Sequence, residues 1–147
     1  MILCRIKGGV ELECLFCKIA SGEIPSATIF ENSEFRVILD RFPGSKGHLL
    51  ILPKEHVENI FEIDPEKGGR LFSLGVQLAK ILKKELQLEG LNVVQNNGKI
   101  AGQTIFHFHL HLIPRYPEDG VNITWKSTEP TEEELDSLAK KLFKALQ

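Results

Sequence analysis

Several features that mark whole classes of protein are absent from this chain of 147 residues. Acidic and basic side chains nearly balance, with a formal net charge of −2, so no basic excess indicates a nucleic-acid surface. No apolar run reaches the length of about 20 residues that a helix needs to cross a bilayer. The start, Met1–Arg5, is too short and too soon charged for a signal peptide. We therefore expect a cytoplasmic protein with neither a nucleic-acid partner nor a membrane partner.

Cysteine is also scarce, and three cysteines are an odd number for a chain that we expect to be cytoplasmic. A framework of disulfides is therefore not expected. Cys14 and Cys17 nevertheless have the C-x-x-C spacing of half a structural zinc site. No second C-x-x-C exists, so histidines such as His48 and His56 would have to complete such a site. A reduced thiol pair or a redox motif would show the same spacing, although glycine and proline soon afterwards interrupt the long helix that a redox motif usually opens.

The chain lacks the phosphate-binding sequence G-x-x-x-x-G-K-[ST] and any acidic cluster typical of a magnesium-dependent kinase. What it has instead is a stretch, residues 106–114, in which histidines alternate strictly with apolar residues. Side chains alternate between the two faces of a β-strand, so His107, His109 and His111 are expected on one face. The residues expected to face the core are Phe106, Phe108, Leu110 and Leu112.

Strand geometry disfavours a single metal ion held by all three histidines. Residues on a strand rise about 3.3 Å each, so His107 and His111 would stand roughly 13 Å apart at their Cα atoms. Bonds from a metal to an imidazole nitrogen are only about 2.0–2.1 Å long, so at most two ligands are expected from this strand. A neutral imidazole without a metal is a nucleophile toward phosphorus, and a second one nearby can stabilise negative charge. The amides and glycines of residues 96–104 would suit a phosphate cradle or an ordinary turn.

The remaining pattern predicts an α+β fold with an antiparallel sheet and two main helices. Asp64 followed by Pro65 is typical of a helix start, and leucines at helical spacing follow it. A second helix is predicted after the capping box that begins at Thr131. The predicted strands are Thr28–Glu31 and Phe35–Asp40, which form a hairpin, and His48–Leu52, Leu91–Gln95 and Thr104–Pro114.

The stretch from Gly102 to Ile113 resembles the signature of the histidine-triad (HIT) superfamily of nucleotide hydrolases and transferases. The resemblance covers residues 14–115 and includes further blocks in the family's order, among them Pro53-Lys54-x-His56. It implies a single HIT-like domain over residues 1–147, with residues 1–13 as an N-terminal arm, 14–115 as the core and 116–147 as a tail and helix. It also implies the HIT-like five-stranded antiparallel sheet with two main helices, paired as a homodimer.

The resemblance further implies that the protein cleaves a nucleoside 5′-monophosphate from a leaving group through a covalent nucleotidyl-histidine. His109 would be the nucleophile, and His111 and Gln103 would be catalytic residues at the phosphate. The residues expected to bind the nucleotide are Phe16, Ile19, Ile24, Ile38, Asp40, His48, Leu50, Asn96, Gln103, Thr104 and His111. The substrate would be a purine nucleotide: a dinucleoside polyphosphate, a phosphoramidate or an adenylate.

The C-x-x-C resembles that of a zinc-bearing bacterial-type branch of the family. Its metal ligands would be Cys14, Cys17, His56 and His107. Four protein ligands would close the coordination of the zinc and make it structural, which leaves His109 for chemistry. Two other functions stay open: a regulatory protein that binds nucleotide without turnover, and a hydrolase that uses the triad as metal ligands.

Overall fold

The computed structural model describes residues 4–5, 11–12 and 14–147. Near the N-terminus, β1 (Cys4–Arg5) pairs antiparallel with β2 (Glu11–Leu12). The other residues of the predicted N-terminal arm, and the side chains of these two strands, lie outside the described residues.

A five-stranded antiparallel sheet forms the centre of the fold, in the order β3-β4-β5-β7-β6. Its strands are β3 (Thr28–Glu31), β4 (Phe35–Leu39), β5 (Leu49–Pro53), β6 (Gly90–Val94) and β7 (Leu110–Arg115). The predicted hairpin is present: β3 and β4 are joined by a turn in which Oδ1 of Asn32 accepts hydrogen bonds from the backbone N–H groups of Glu34 and Phe35. Together with three helices, this sheet confirms the α+β fold class and the five antiparallel strands.

The two faces of the sheet carry separate apolar clusters, because side chains alternate along β4 and β5. One face packs against α2 (Pro65–Leu86) and the other against α1 (Leu15–Ser21). The strand residues of the α2 face include Val37, Leu49, Ile51 and Leu112. Those of the α1 face are Ile38, Leu50 and Leu52. Every residue of β5 is buried, since this strand lies beneath both clusters.

The helix α2 begins where the sequence predicts it. Asp64 accepts a hydrogen bond from the backbone N–H of Lys67 at 2.9 Å, and Pro65 occupies the first helical position. The helix ends before Gly90, at Leu86, because Gln87 takes a left-handed conformation with φ of 53°. Gly75 faces the sheet, and a Cβ atom there would lie 3.3 Å from Leu110, so glycine permits the close approach of helix and sheet.

The strand predicted over Thr104–Pro114 is shorter than expected: β7 begins only at Leu110. On one side β6 ends at Val94, opposite His111, and on the other the register places Pro53 of β5, which has no N–H, opposite Phe108. The backbone N–H of Phe108 bonds instead to the carbonyl of Val57. The alternation continues through this irregular segment, since Phe108 joins the core on the α2 face while His107 is buried away from it. The prediction that Phe106 faces the core is wrong, because its side chain is 44% exposed where the chain bends.

The helix α3 (Glu132–Ala145) begins with the predicted capping box. The Thr131 hydroxyl accepts a hydrogen bond from the N–H of Glu134, whose carboxylate accepts one from the N–H of Thr131. All residues from 122 to 147 are exposed. Within the part of the chain that the structure describes, no helix has both the length and the apolar character needed to cross a membrane.

Candidate functional site

A pocket of about 570 Å³ lies on the α1 face of the sheet, beside the histidine segment. Its lining is mostly apolar and includes a few polar side chains, which is typical of small-molecule sites. The predicted site residues that line it are Phe16, Ile19, Ile24, Ile38, Asp40, Leu50, Thr104, His109 and His111. Three others, His48, Asn96 and Gln103, lie outside this lining.

His109 is held in one orientation by the backbone. Its Nδ1 lies 2.6 Å from the carbonyl oxygen of His107, and since a carbonyl only accepts, Nδ1 carries the proton and donates it. The lone pair of the neutral ring is therefore on Nε2, and the ring lines the pocket. Phe16 packs edge-on against it with ring centroids 4.9 Å apart. Burial lowers the pKa of His109, which keeps the ring neutral and nucleophilic near neutral pH.

His111 has the opposite tautomer, and His48 determines it. The backbone N–H of Gly44 donates to Nδ1 of His48 at 3.0 Å, so this nitrogen is unprotonated in the neutral ring. Nε2 of His48 therefore carries the proton and donates to Nδ1 of His111 at 2.9 Å. Nδ1 of His111 is thus an acceptor, and the proton of His111 is on Nε2, the nitrogen not bonded to His48. Burial, followed by the nearby His109 and His48, lowers the pKa of His111 to about 4.

Asp40 lies where β4 leads into the following loop and supplies the carboxylate of the pocket. Its Oδ1 accepts the N–H of Phe42 at 2.9 Å, which fixes the carboxylate relative to the loop. Its other oxygen lies 3.6 Å from Nε2 of His48, and its side chain is 19% exposed. The carboxylate thus stays partly accessible to a hydroxyl donor in the pocket.

Gln103 is buried behind the pocket and connects loops. Its Oε1 accepts the N–H of Gly98, and its Nε2 donates to the carbonyls of Glu58 and Ile105. Both ends of the amide are therefore used within the protein. Asn96 lies half-buried in the same loop. The residue that reaches the pocket from this stretch is Thr104.

A second cluster brings together the four predicted metal ligands. Ligand atoms of Cys14, Cys17, His56 and His107 all lie within 4.8 Å of one another. Nδ1 of His107 is 3.5 Å from both sulfurs, and Nδ1 of His56 is 3.4 Å from the sulfur of Cys17. In a tetrahedral zinc site the bond lengths of about 2.3 and 2.0 Å separate a sulfur from a nitrogen by about 3.6 Å. The spacing therefore fits a zinc ion.

The tautomer of His107 also suits a metal ligand. Its Nε2 lies 2.8 Å from the carbonyl oxygen of Pro53, so Nε2 carries the proton and donates. The lone pair is on Nδ1, which points at the two sulfurs. Such a hydrogen bond from the far ring nitrogen is what orients histidine ligands in metal sites. His107 thus presents the lone pair of Nδ1 to the cysteine sulfurs, whereas His109 presents the lone pair of Nε2 at the pocket.

The two cysteines differ in redox state in the structure. Cys14 is a buried free thiol, whereas Cys17 is disulfide-bonded. Zinc binds thiolates, so the site can hold a metal only after the Cys17 disulfide is reduced.

Sequence reasoning missed two groups that act through the backbone. The Gly44 N–H and the Pro53 carbonyl fix the tautomers of His48 and His107, and main-chain groups leave no residue-type signal. It also missed Arg41 and Phe42 at the pocket edge. They directly follow Asp40, so the end of an apolar strand was the available signal for them.

Comparison with known proteins gives consistent matches. The family model described as "HIT domain" matches residues 21–118. An adenosine 5′-monophosphoramidase of Schizosaccharomyces pombe is 36% identical over 132 residues, which cover 89% of this chain and 96% of that protein. A crystal structure of a Streptococcus mutans protein superposes with a TM-score of 0.88 at 39% identity, covering 96% of this chain and 90% of the other. A zinc-bound histidine triad protein of Mycobacterium smegmatis superposes with a TM-score of 0.70 at 34% identity, covering 90% and 97%.

Proposed function

This chain belongs to the HIT family, and from that premise we propose that it cleaves a nucleoside 5′-monophosphate from a leaving group through a covalent intermediate on His109. The observation that carries the proposal is the fixed tautomer of His109, which leaves the Nε2 lone pair as its nucleophile beside the pocket. The similarity to an adenosine 5′-monophosphoramidase supports a purine nucleotide with an amine or a similar leaving group as the substrate class.

In the proposed reaction, Nε2 of His109 attacks the α-phosphorus. A nitrogen–phosphorus bond forms as the bond from phosphorus to the leaving group breaks, and the leaving group takes a proton from water. The Nε2–H of His111 donates a hydrogen bond to the phosphate oxygens, where negative charge develops in the transition state. A water molecule then attacks phosphorus and breaks the nitrogen–phosphorus bond, which releases the nucleoside monophosphate and restores His109.

The pocket lining supports a distribution of roles within the nucleotide. Its apolar side chains, among them Phe16, Ile38 and Leu50, offer a surface for the purine base. Asp40 would accept hydrogen bonds from the ribose hydroxyls, and Thr104 would donate to the phosphate. Gln103 would act from behind by holding the loop that carries Thr104, and His48 by orienting His111, while Asn96 would be a further donor toward the phosphate.

We also propose a structural zinc ion on Cys14, Cys17, His56 and His107. When bound, it would cross-link the start of α1 to the segment that precedes β7. Four protein ligands leave it no position for substrate, so it would contribute stability and not chemistry. The family resemblance further suggests a homodimer.

Hydrolysis of an AMP–amine tests the proposal, with wild type and His109→Ala measured in parallel. We expect His109→Ala to lower kcat by at least about a thousandfold, because it removes the nucleophile, while AMP binding measured by calorimetry is retained. Turnover by His109→Ala near the wild-type rate would contradict the covalent mechanism. Binding of AMP by the wild type without any product would instead favour a regulatory nucleotide-binding protein.

A further inference from the structure

The loop that follows β4 carries an aromatic ring at the pocket to which the proposed reaction assigns no role. This residue is Phe42, which lines the pocket and is 86% exposed. Two other large apolar side chains of the lining, Leu15 and Leu39, are exposed as well. Single exposed hydrophobic residues are ordinary, but several of them around one pocket form an apolar rim, which marks a surface for a ligand.

The two phenylalanines of the pocket lining differ in what their rings contact. The ring of Phe16 packs edge-on against His107 and His109, with centroid distances of 6.0 and 4.9 Å, so it supports the histidine segment. Within the part of the chain that the structure describes, Phe42 makes no ring contact. The faces of the Phe42 ring are therefore open to a flat ligand.

The backbone that carries Phe42 is held on both sides. Before it, Oδ1 of Asp40 accepts the N–H of Phe42 itself at 2.9 Å. After it, the hydroxyl of Ser45 donates a hydrogen bond to the carbonyl of Pro114 in β7. The carboxylate that fixes Phe42 is also the one proposed to bind the ribose hydroxyls, so the ring is placed beside the nucleoside part of the ligand.

We propose that the ring of Phe42 stacks on the base of the bound nucleotide, an inference that rests on the proposed function. A purine has two flat faces, and the apolar side chains of Phe16, Ile38 and Leu50 would cover only one of them. An aromatic side chain on the other face removes that face from water, and it can stack on any base because every base has a π-face. Phe42 would therefore strengthen the binding of adenine and guanine nucleotides alike.

Calorimetric binding of AMP and of ribose 5-phosphate to the full-length protein tests this inference, because the second ligand has the same ribose and phosphate but no base. We expect Phe42→Ala to raise the dissociation constant of AMP by about five- to a hundredfold and to leave that of ribose 5-phosphate unchanged. In turnover of an AMP–amine, Phe42→Ala should raise KM and leave kcat unchanged, since the base is stacked equally in the ground state and the transition state. Phe42→Tyr, which keeps the ring, should bind AMP like the wild type, whereas Phe42→Leu should remain weakened.

The matched control is Phe61→Ala, because Phe61 is 84% exposed but lies outside the pocket lining and its loss should change neither dissociation constant. An unchanged dissociation constant of AMP in Phe42→Ala would overturn the stacking. An equal rise for AMP and ribose 5-phosphate would also overturn it, because that result indicates a structural role of Phe42. The dissociation constants do not depend on turnover, so a wild type that binds AMP without forming product would overturn the proposed reaction and not the stacking.

Discussion

Replacing His48 by leucine should slow the reaction although His48 does not line the pocket. The side chain is buried, and its Nε2–H is the donor that Nδ1 of His111 accepts at 2.9 Å. Without this donor, Nδ1 of His111 loses its partner, and the ring can turn or change tautomer. Nε2 of His111, which faces the phosphate, would then lack its proton for part of the time. Its lone pair would repel the lone pairs of the phosphate oxygens.

The size of the effect follows from the lost hydrogen bond. A buried polar group left without its partner costs about 1–3 kcal/mol. If the transition state bears most of this cost, kcat/KM falls by about ten- to a hundredfold, because 1.4 kcal/mol corresponds to a factor of ten. The same loss should lower the free energy of unfolding by less than this, since His111 is only half-buried in the free protein.

The matched control is His48→Gln, whose side-chain amide can place an N–H near the former Nε2 position. We expect His48→Gln to recover most of the activity lost in His48→Leu, with both measured as kcat/KM for an AMP–amine at pH 7. Equal activity of His48→Leu and wild type would refute the role of the Gly44–His48–His111 chain. Equal loss in both variants would show that the imidazole acts in another way than as a donor.

Three further outcomes are expected. Reduced protein should bind one equivalent of zinc. Removal of the zinc by a chelator, or the substitution Cys14→Ser, should lower the melting temperature while leaving kcat of the folded protein nearly unchanged. Loss of catalysis without loss of stability would contradict a structural role for the zinc. Gly47→Ala should lower the free energy of unfolding, measured in urea, by about 1–3 kcal/mol, because Gly47 has a φ of +86° and a Cβ atom there would lie 2.6 Å from a side chain of α2. The control Gly69→Ala should not lower it, since a Cβ atom at that position meets no atom within 4 Å. Hydrogen bonds from Arg115 and from two backbone N–H groups hold the pKa of Asp119 well below its usual range, so the ionised carboxylate stabilises the fold above pH 4 and this stabilisation is lost as the pH falls. The difference in free energy of unfolding between wild type and Asp119→Asn should therefore shrink toward pH 2. A difference that stays constant with pH would contradict this role of Asp119.

Local signals in the sequence predicted the helices and the hairpin well. Asp64 and Thr131 act as caps through their own side chains, and Asn32 bonds to the turn that it begins. Each of these contacts joins residues no more than three positions apart, so residue type and spacing suffice to predict them. The same holds for the alternation that sends Phe108 and His109 to opposite sides of the chain.

The misses arise where distant parts of the chain meet. The strand before Leu110 does not form, and the residue that would pair with its continuation is Pro53, 54 positions from His107 in the sequence, so nothing local marks the start of β7. His48 is predicted from the sequence to bind the nucleotide, yet its hydrogen bonds with Gly44 and His111 give it a polar role that depends on tertiary packing. Gln103 likewise uses its amide on three loops that the sequence alone does not bring together.

The central claim is that the two reactive imidazoles are not equivalent and that His109 alone bonds to phosphorus. Alkali-quenched mass spectrometry during turnover of an AMP–amine tests it most directly, because a bond from phosphorus to an imidazole nitrogen is labile in acid but survives at high pH. The account predicts a transient increase in protein mass by one adenylyl group, with the modification mapped to the peptide that contains His109 and absent in His109→Ala. An adduct on His111, or single-turnover kinetics in which product forms with no adduct at any time, would contradict it.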